Sequence, residues 1–159
     1  MIALALLLAA DTVLAAGGEL AGPPEQTLVV AGEDVTAWGF SEVPPRSRLQ
    51  AALALSDANA RAELVKFVRA TVTDALKSRS TLTIGGAGSA GDGRRPQGGA
   101  SNEEIEVRTR EVARGLLPAL APPQHGWRKL KRGDEVVLQV WSRMTAPAAR
   151  LRELMAAAK

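Results

Sequence analysis

The chain has 159 residues, a formal net charge of +3, a single histidine and no cysteine. Without cysteine there can be no disulfide, no thiolate metal site and no lipidated cysteine, and one histidine without thiols is a poor start for a transition-metal site. The small positive charge is compatible with an anionic partner without requiring one, and three Trp, two Phe and no Tyr offer few stacking platforms for nucleic acid.

The chain opens on an apolar run, 2–10, followed by small residues at Ala15, Ala16, Gly17 and Gly18. The run is too short for a membrane span, which needs about 20 apolar residues. With Val13-Leu14-Ala15 as a small-residue cleavage site, residues 1–16 read as a signal peptide, although no Lys or Arg precedes the run and Asp11 follows it. The alternative is an apolar N-terminal helix of the mature fold. Residues 17–31 read as a flexible lead-in, with Pro23 and Pro24, or as an edge strand; 32–159 read as a single domain. Cleavage would leave about 140 residues, enough for one ordinary core, built here mainly from Leu, Val and Ala.

Thr27-Leu28-Val29-Val30-Ala31-Gly32 and Val35-Thr36-Ala37-Trp38-Gly39-Phe40 are β-like, with Gly32-Glu33-Asp34 between them. They form either a hairpin or one good strand. Pro44-Pro45 ends the extended run. Ser47 with Gln50 then supplies a capping box for a long helix over 47–80. Its apolar stripe is Leu49, Leu53, Ala60, Leu64, Phe67, Val68, Val72 and Leu76, with a possible kink near Ser56-Asp57. Alanines at 51, 52, 54, 58, 60 and 62 thin its surface, so the helix can lie close against a sheet.

Ser80-Thr81-Leu82-Thr83-Ile84 is β-branched and reads as a short strand. A Gly-rich loop, 85–100, follows. Ser101 with Glu104 caps a second helix, with Ile105, Val112, Leu116 and Leu117 on one face and Gly115 and Pro118 as its stop. The alternation in Ile105-Glu106-Val107-Arg108-Thr109-Arg110 leaves a strand open over part of it. Beyond a proline-interrupted stretch lies the clearest hairpin: Trp127-Arg128-Lys129-Leu130-Lys131-Arg132, a turn at Gly133-Asp134, and Val136-Val137-Leu138-Gln139-Val140-Trp141. Thr145 and Pro147 open a last helix with Leu151, Leu154 and Met155 on its apolar face. The order β-α-β, loop, α-β-β-α predicts an α+β fold, with helices on one face of a mainly antiparallel sheet.

No constellation carries chemistry. Gly86-Ala87-Gly88-Ser89-Ala90-Gly91 matches G-x-G-x-x-G, but Asp92-Gly93-Arg94-Arg95-Pro96 cannot start the helix that would hold a pyrophosphate. His125 reads as a solvated loop residue, with no nucleophile elbow to make a triad of it. The expectation is therefore a protein that is not an enzyme, with no catalytic residue, no cofactor and no metal. The candidate contact surface is Trp127, Arg128, Lys129, Lys131, Arg132 and Trp141. Its basic residues, with Arg94-Arg95, can meet an anionic surface, or they can guard a sheet edge against aggregation. Trp38 reads as core; Trp141 shares a strand face with Val137 and Gln139 and falls on the wetter side.

The extended segment ending in Trp38-Gly39-Phe40, the alanine-spaced helix with Ala58 and Ala60-Arg61-Ala62-Glu63-Leu64, and the Trp127 strand paired with Val136-Val137-Leu138-Gln139-Val140 resemble the LPP-twenty lipoproteins, small envelope proteins of Gram-negative bacteria, some involved in flagellar assembly. The resemblance spans roughly 35–144 and implies an α+β fold, an envelope location and a structural or adhesive role. It brings no catalytic residues. The chain lacks the cysteine of the family's lipid anchor, so the expected location is periplasmic or secreted. The expected function is structural or protein-binding, with an envelope protein or a second copy as partner, no nucleic acid and no transmembrane span. The alternative is a periplasmic binder of anionic ligands or surfaces through the basic hairpin.

Overall fold

A computed structural model describes residues 11–85 and 100–157. The apolar run 2–10, the glycine motif at 86–91 and Arg94-Arg95 lie outside the described residues. In chain order the elements are β1 (Thr12–Gly18), β2 (Leu28–Ala31), β3 (Asp34–Val43), α1 (Leu49–Gly85), α2 (Asn102–Leu116), a 3₁₀ turn at Leu117–Ala119, β4 (Gln124–Arg132), β5 (Glu135–Pro147) and α3 (Ala148–Ala157). The five strands form one sheet, in the order β1-β4-β5-β3-β2, and every neighbouring pair is antiparallel. The fold is α+β.

The expected hairpin at 127–141 forms, and of the two readings left open for 27–40 the structure shows the hairpin. Gly32-Glu33 turns β2 into β3, and Gly133-Asp134 turns β4 into β5. Along β3, Val35, Ala37, Gly39 and Ser41 are buried and alternate with the more accessible Thr36, Trp38, Phe40 and Glu42, the signature of a sheet covered on one face. The covering layer is α1, with α2 and α3 packed beside it. Ala52, Ser56, Ala60, Leu64, Val68, Val72 and Leu76 are the buried positions of α1, one every fourth residue. A four-residue step advances about 40° round a helix of 3.6 residues per turn, so the buried stripe winds as it ascends. Its first part, Ala52, Ser56 and Ala60, is small. At Gly39 on β3 a Cβ would stand 1.8 Å from the Ser56 carbonyl oxygen and 2.5 Å from the Ala60 nitrogen, so helix and strand touch backbone to backbone there. From Leu64 onward the residues are larger and share the main core with Val112 and Leu116 of α2, Leu151 of α3, and Val35, Ala37 and Ala146 of the sheet. Ala51, Ala58 and Ala62 are exposed; the close approach rests on three small residues, not on alanine content as such.

Three local expectations are corrected. The short strand at 80–84 is the last part of α1: extending a helix already formed costs less than starting a strand, and neither sheet edge pairs with this segment. The long helix starts at Leu49 rather than Ser47, whose N–H instead donates to the Pro44 carbonyl at 3.0 Å in a turn. Gly115 does not stop α2: it lies inside the helix, where a Cβ would meet Leu154 of α3 at 2.4 Å, so it marks a close helix contact. The Ser101 cap is present, its hydroxyl accepting from the Glu104 N–H at 3.1 Å. Helix, not strand, is the state of 102–116.

Candidate functional site

Side chains alternate across a strand, and this decides what becomes of the basic hairpin. In β4, Arg128 and Arg132 share the face turned away from the helices with Gly126 and Leu130. Trp127, Lys129 and Lys131 take the helix-side face, where Trp127 packs half-buried against the cluster of Ala52, Leu138 and Val140. The four charges thus divide between two faces. The hairpin is also not an edge: β4 and β5 lie inside the sheet, and β1 and β2 are its borders.

On the open face the side chains of neighbouring strands stand in rows. One row is Ala16, Arg128, Gln139 and Glu42. Arg128 Nε donates to Gln139 Oε1 at 2.8 Å, and Gln139 Nε2 donates to Glu42 Oε2 at 2.8 Å. Arg132 reaches Asp11 at 3.4 Å and Glu42 at 3.6 Å. The next row is Gly18, Gly126, Trp141 and Phe40, and beyond it stand Gln124, Arg143 and Trp38. The Arg128 guanidinium lies 5.8 Å from the Trp141 ring centre and that of Arg143 lies 5.6 Å from Trp38, both in cation–π range. Arg143 is held in turn by Gln124 Oε1, at 2.9 Å from its Nε.

Trp141 and Trp38 exchange their expected roles. Trp141 is the largest fully buried side chain, 1% exposed, although it stands on the open face. Gly126 leaves the room: a Cβ there would meet Trp141 Nε1 at 2.2 Å and the Leu20 carbonyl oxygen at 2.6 Å. The turn that follows β1 folds over this place, the Glu19 and Leu20 N–H groups both donating to the His125 carbonyl, at 2.8 and 3.1 Å. Trp38, expected in the core, is half-buried on the open face. A cleft of about 550 Å³ at the β1 end of the sheet is lined by Val13, Ala16, Leu20, Trp127, Arg128 and Trp141, among others. Three of the six candidate contact residues thus meet in one place; Lys129, Lys131 and Arg132 do not line it.

The helix-side face carries polar contacts that the chain order conceals. Ser56 and Ser142 oxygens lie 2.5 Å apart, both serines 0% exposed. His125 is a strand residue rather than a solvated loop residue, and its Nε2 is 2.8 Å from Asp57 Oδ1 on α1. Asn59 Nδ2 donates to the Phe40 carbonyl at 2.9 Å and to Ser41 Oγ at 3.1 Å. These groups pin α1 to the sheet, and the serine hydroxyls are sealed from solvent. Only the alignment of β4 and β5 places Ser142 opposite His125; sequence spacing holds no sign of it. Among the described residues one carboxyl is perturbed: Glu63 is held below the usual carboxylate range chiefly by its hydrogen bond to Lys66, against the opposing effect of burial, with the Lys66 charge and the Thr27 hydroxyl adding to the lowering.

Among the described residues no His, Cys, Asp or Glu group is arranged to hold a metal ion, and no helix is long and apolar enough to cross a membrane. No family model matches the chain, and neither a curated protein nor a solved structure does.

Proposed function

We propose that the protein is a non-enzymatic, exported module of the bacterial cell envelope, comparable in role to the LPP-twenty lipoproteins it resembles, that keeps β1 in its mature form, so that any cleavage falls before Thr12 rather than after Ala15 or Ala16, and that acts by assembling with a second copy of itself through its sheet edges. One observation carries this reading. The charges of the sheet lie on its inner strands, β3, β4 and β5, and its two border strands carry none. β1 reads Thr-Val-Leu-Ala-Ala-Gly-Gly and β2 reads Leu-Val-Val-Ala, with no charge and no proline in either. Val13 and Leu14 are each 52% exposed, and Val30 is 57% exposed. A sheet border of this kind is a template for another strand, and folded proteins that remain single usually blunt it with Lys, Pro or a bulge. β1 does carry a register shift between Val13 and Ala15, which leaves β2 as the plainer border.

Sedimentation across a wide concentration range, at low and at high salt, tests the assembly. The expected result is association that grows with concentration and survives salt, because apolar strand pairing is not screened. A monomer at every concentration, together with no crosslinked envelope protein in cells, overturns it. Fractionation with sequencing of the mature N-terminus tests the export; a protein retained in the cytoplasm with its first residues intact overturns that part.

A second reading, a binder of anionic ligands, is favoured by one residue of the hairpin. Arg128 lines a cleft, and no partner among the described residues takes its Nη groups. This narrows the reading from a basic surface to a single recess.

A further inference from the structure

The Trp141 indole N–H is buried and has no hydrogen-bond partner among the described residues. An unmade hydrogen bond on a buried donor costs about 1–3 kcal/mol, so folded proteins rarely keep one without a use. Here the donor belongs to a side chain that lines the cleft beside β1, and the Arg128 guanidinium lies against the same ring. With Nε committed to Gln139, Arg128 keeps its Nη groups for a further acceptor. Val13, Ala16 and Leu20 supply an apolar part of the wall beside these polar groups. Among the described residues Glu19 is the single carboxylate lining the cleft, and it is exposed. The volume, about 550 Å³, falls in the range of small-molecule sites, about 300–1,000 Å³.

We propose that this cleft binds a carboxylate carrying a short apolar chain, one oxygen accepting from Trp141 Nε1–H and the other from Arg128, with the chain along Val13, Ala16 and Leu20. An indole N–H and a guanidinium beside each other suit a carboxylate's two oxygens better than a neutral hydroxyl. The Leu20 carbonyl and the indole nitrogen both lie against Gly126, and the turn carrying Leu20 is held by two N–H bonds to one carbonyl, that of His125. Ligand entry displaces that turn, so binding registers at Trp141 itself. The inference deepens the anionic-ligand reading and does not rest on assembly at the sheet edges.

The test uses the whole protein with octanoate and octanol as probes, followed by tryptophan fluorescence and by calorimetry. Octanoate is expected to bind and to change the fluorescence, with octanol at least about tenfold weaker. Arg128→Gln should weaken octanoate about tenfold and bring it close to octanol. Trp141→Phe removes the donor from the core and risks the fold. Ala16→Leu, at an exposed strand position, therefore serves as the second variant: it fills the cleft and should abolish binding while leaving the unfolding curve in place. No octanoate binding, equal binding of octanol, or unchanged octanoate binding by Ala16→Leu each overturns the proposal. Retention on phosphatidylglycerol vesicles is measured alongside. If vesicles hold the protein and octanoate does not bind, the cleft proposal fails while the broader anionic reading stands. If neither binds, both fail.

Discussion

At Gly39 a single hydrogen atom decides how near a helix comes to a sheet. Any Cβ there would drive into the Ser56 carbonyl and the Ala60 nitrogen, and backbone has no rotamer by which to yield. Gly39→Ala is expected to destabilise by about 3 kcal/mol, the upper end of ordinary overpacking, read as a lower urea midpoint. Gly22→Ala is the control, since nothing lies within 4 Å of its Cβ position, and its midpoint should stay put. At this same contact stands the Ser56–Ser142 pair, with Ser142 directly opposite Gly39. Ser56 also donates to the Leu53 carbonyl at 2.8 Å, so removing Ser142 leaves it partly satisfied, whereas removing Ser56 leaves Ser142 alone in a sealed site. A double-mutant cycle with alanine at both positions should give a coupling of about 1 kcal/mol, with Ser56→Ala the costlier single change. A coupling of zero would mean the two hydroxyls do not act together.

At the scale of elements, the sequence carries more of the fold than of the candidate site, and the reason is physical. Hairpins, caps and helix stripes are set by residues close in the chain, so Gly133-Asp134, Ser101 with Glu104, and Leu64 through Leu76 announce their roles. Depth is not local. Trp141 stands on the face that its alternation with Val137 and Gln139 indicates, yet it is buried, because Gly126 on the next strand makes a hollow and the turn after β1 closes it. His125 meets Asp57 only through the folding of α1 across the sheet. The strand misread at 80–84 shows the converse: β-branched composition names a preference, and the helix already under way overrides it. The joint between α1 and the segment preceding β2 is electrostatic. Thr27 Oγ1 donates to Glu63 Oε2 at 3.2 Å, and Lys66 Nζ lies 2.6 Å from Glu63 Oε1. Since folding lowers the Glu63 pKa, its contribution is present above the usual carboxylate range and is lost as pH falls through the folded value. Unfolding curves of the protein and of Glu63→Gln should therefore differ slightly near neutrality and converge on acidification below about pH 4. The difference is small because the pair is exposed. Curves that diverge in acid would reverse the sign and refute the assignment.

The whole molecule is a sheet with one face under helices, the other crossed by a polar and aromatic grid, and two borders without defence. The grid divides the four cations of the hairpin: Arg128, through its Nε, and Arg132 are tied into it, and Lys129 and Lys131 stand on the opposite face. What remains available to a macromolecular partner is backbone. Among the described residues β2 has no strand on its outer side, so Leu28–Ala31 is a border, and Val29, 37% exposed, and Val30 stand on it. A second β2 laid antiparallel across a two-fold axis would pair the borders and bring the same valines of each copy together, the self-complementarity that a closed dimer requires. Lysine on that border should block it as lysine blocks edges elsewhere. Val30→Lys is expected to abolish concentration-dependent association at any salt, with the unfolding midpoint little changed, because the side chain is already mostly in water. Val13→Lys on the β1 border should leave association in place if β2 is the joint. Were Val13→Lys to disperse the assembly and Val30→Lys to spare it, the contact would belong to β1, and occupation of the neighbouring cleft would then compete with it.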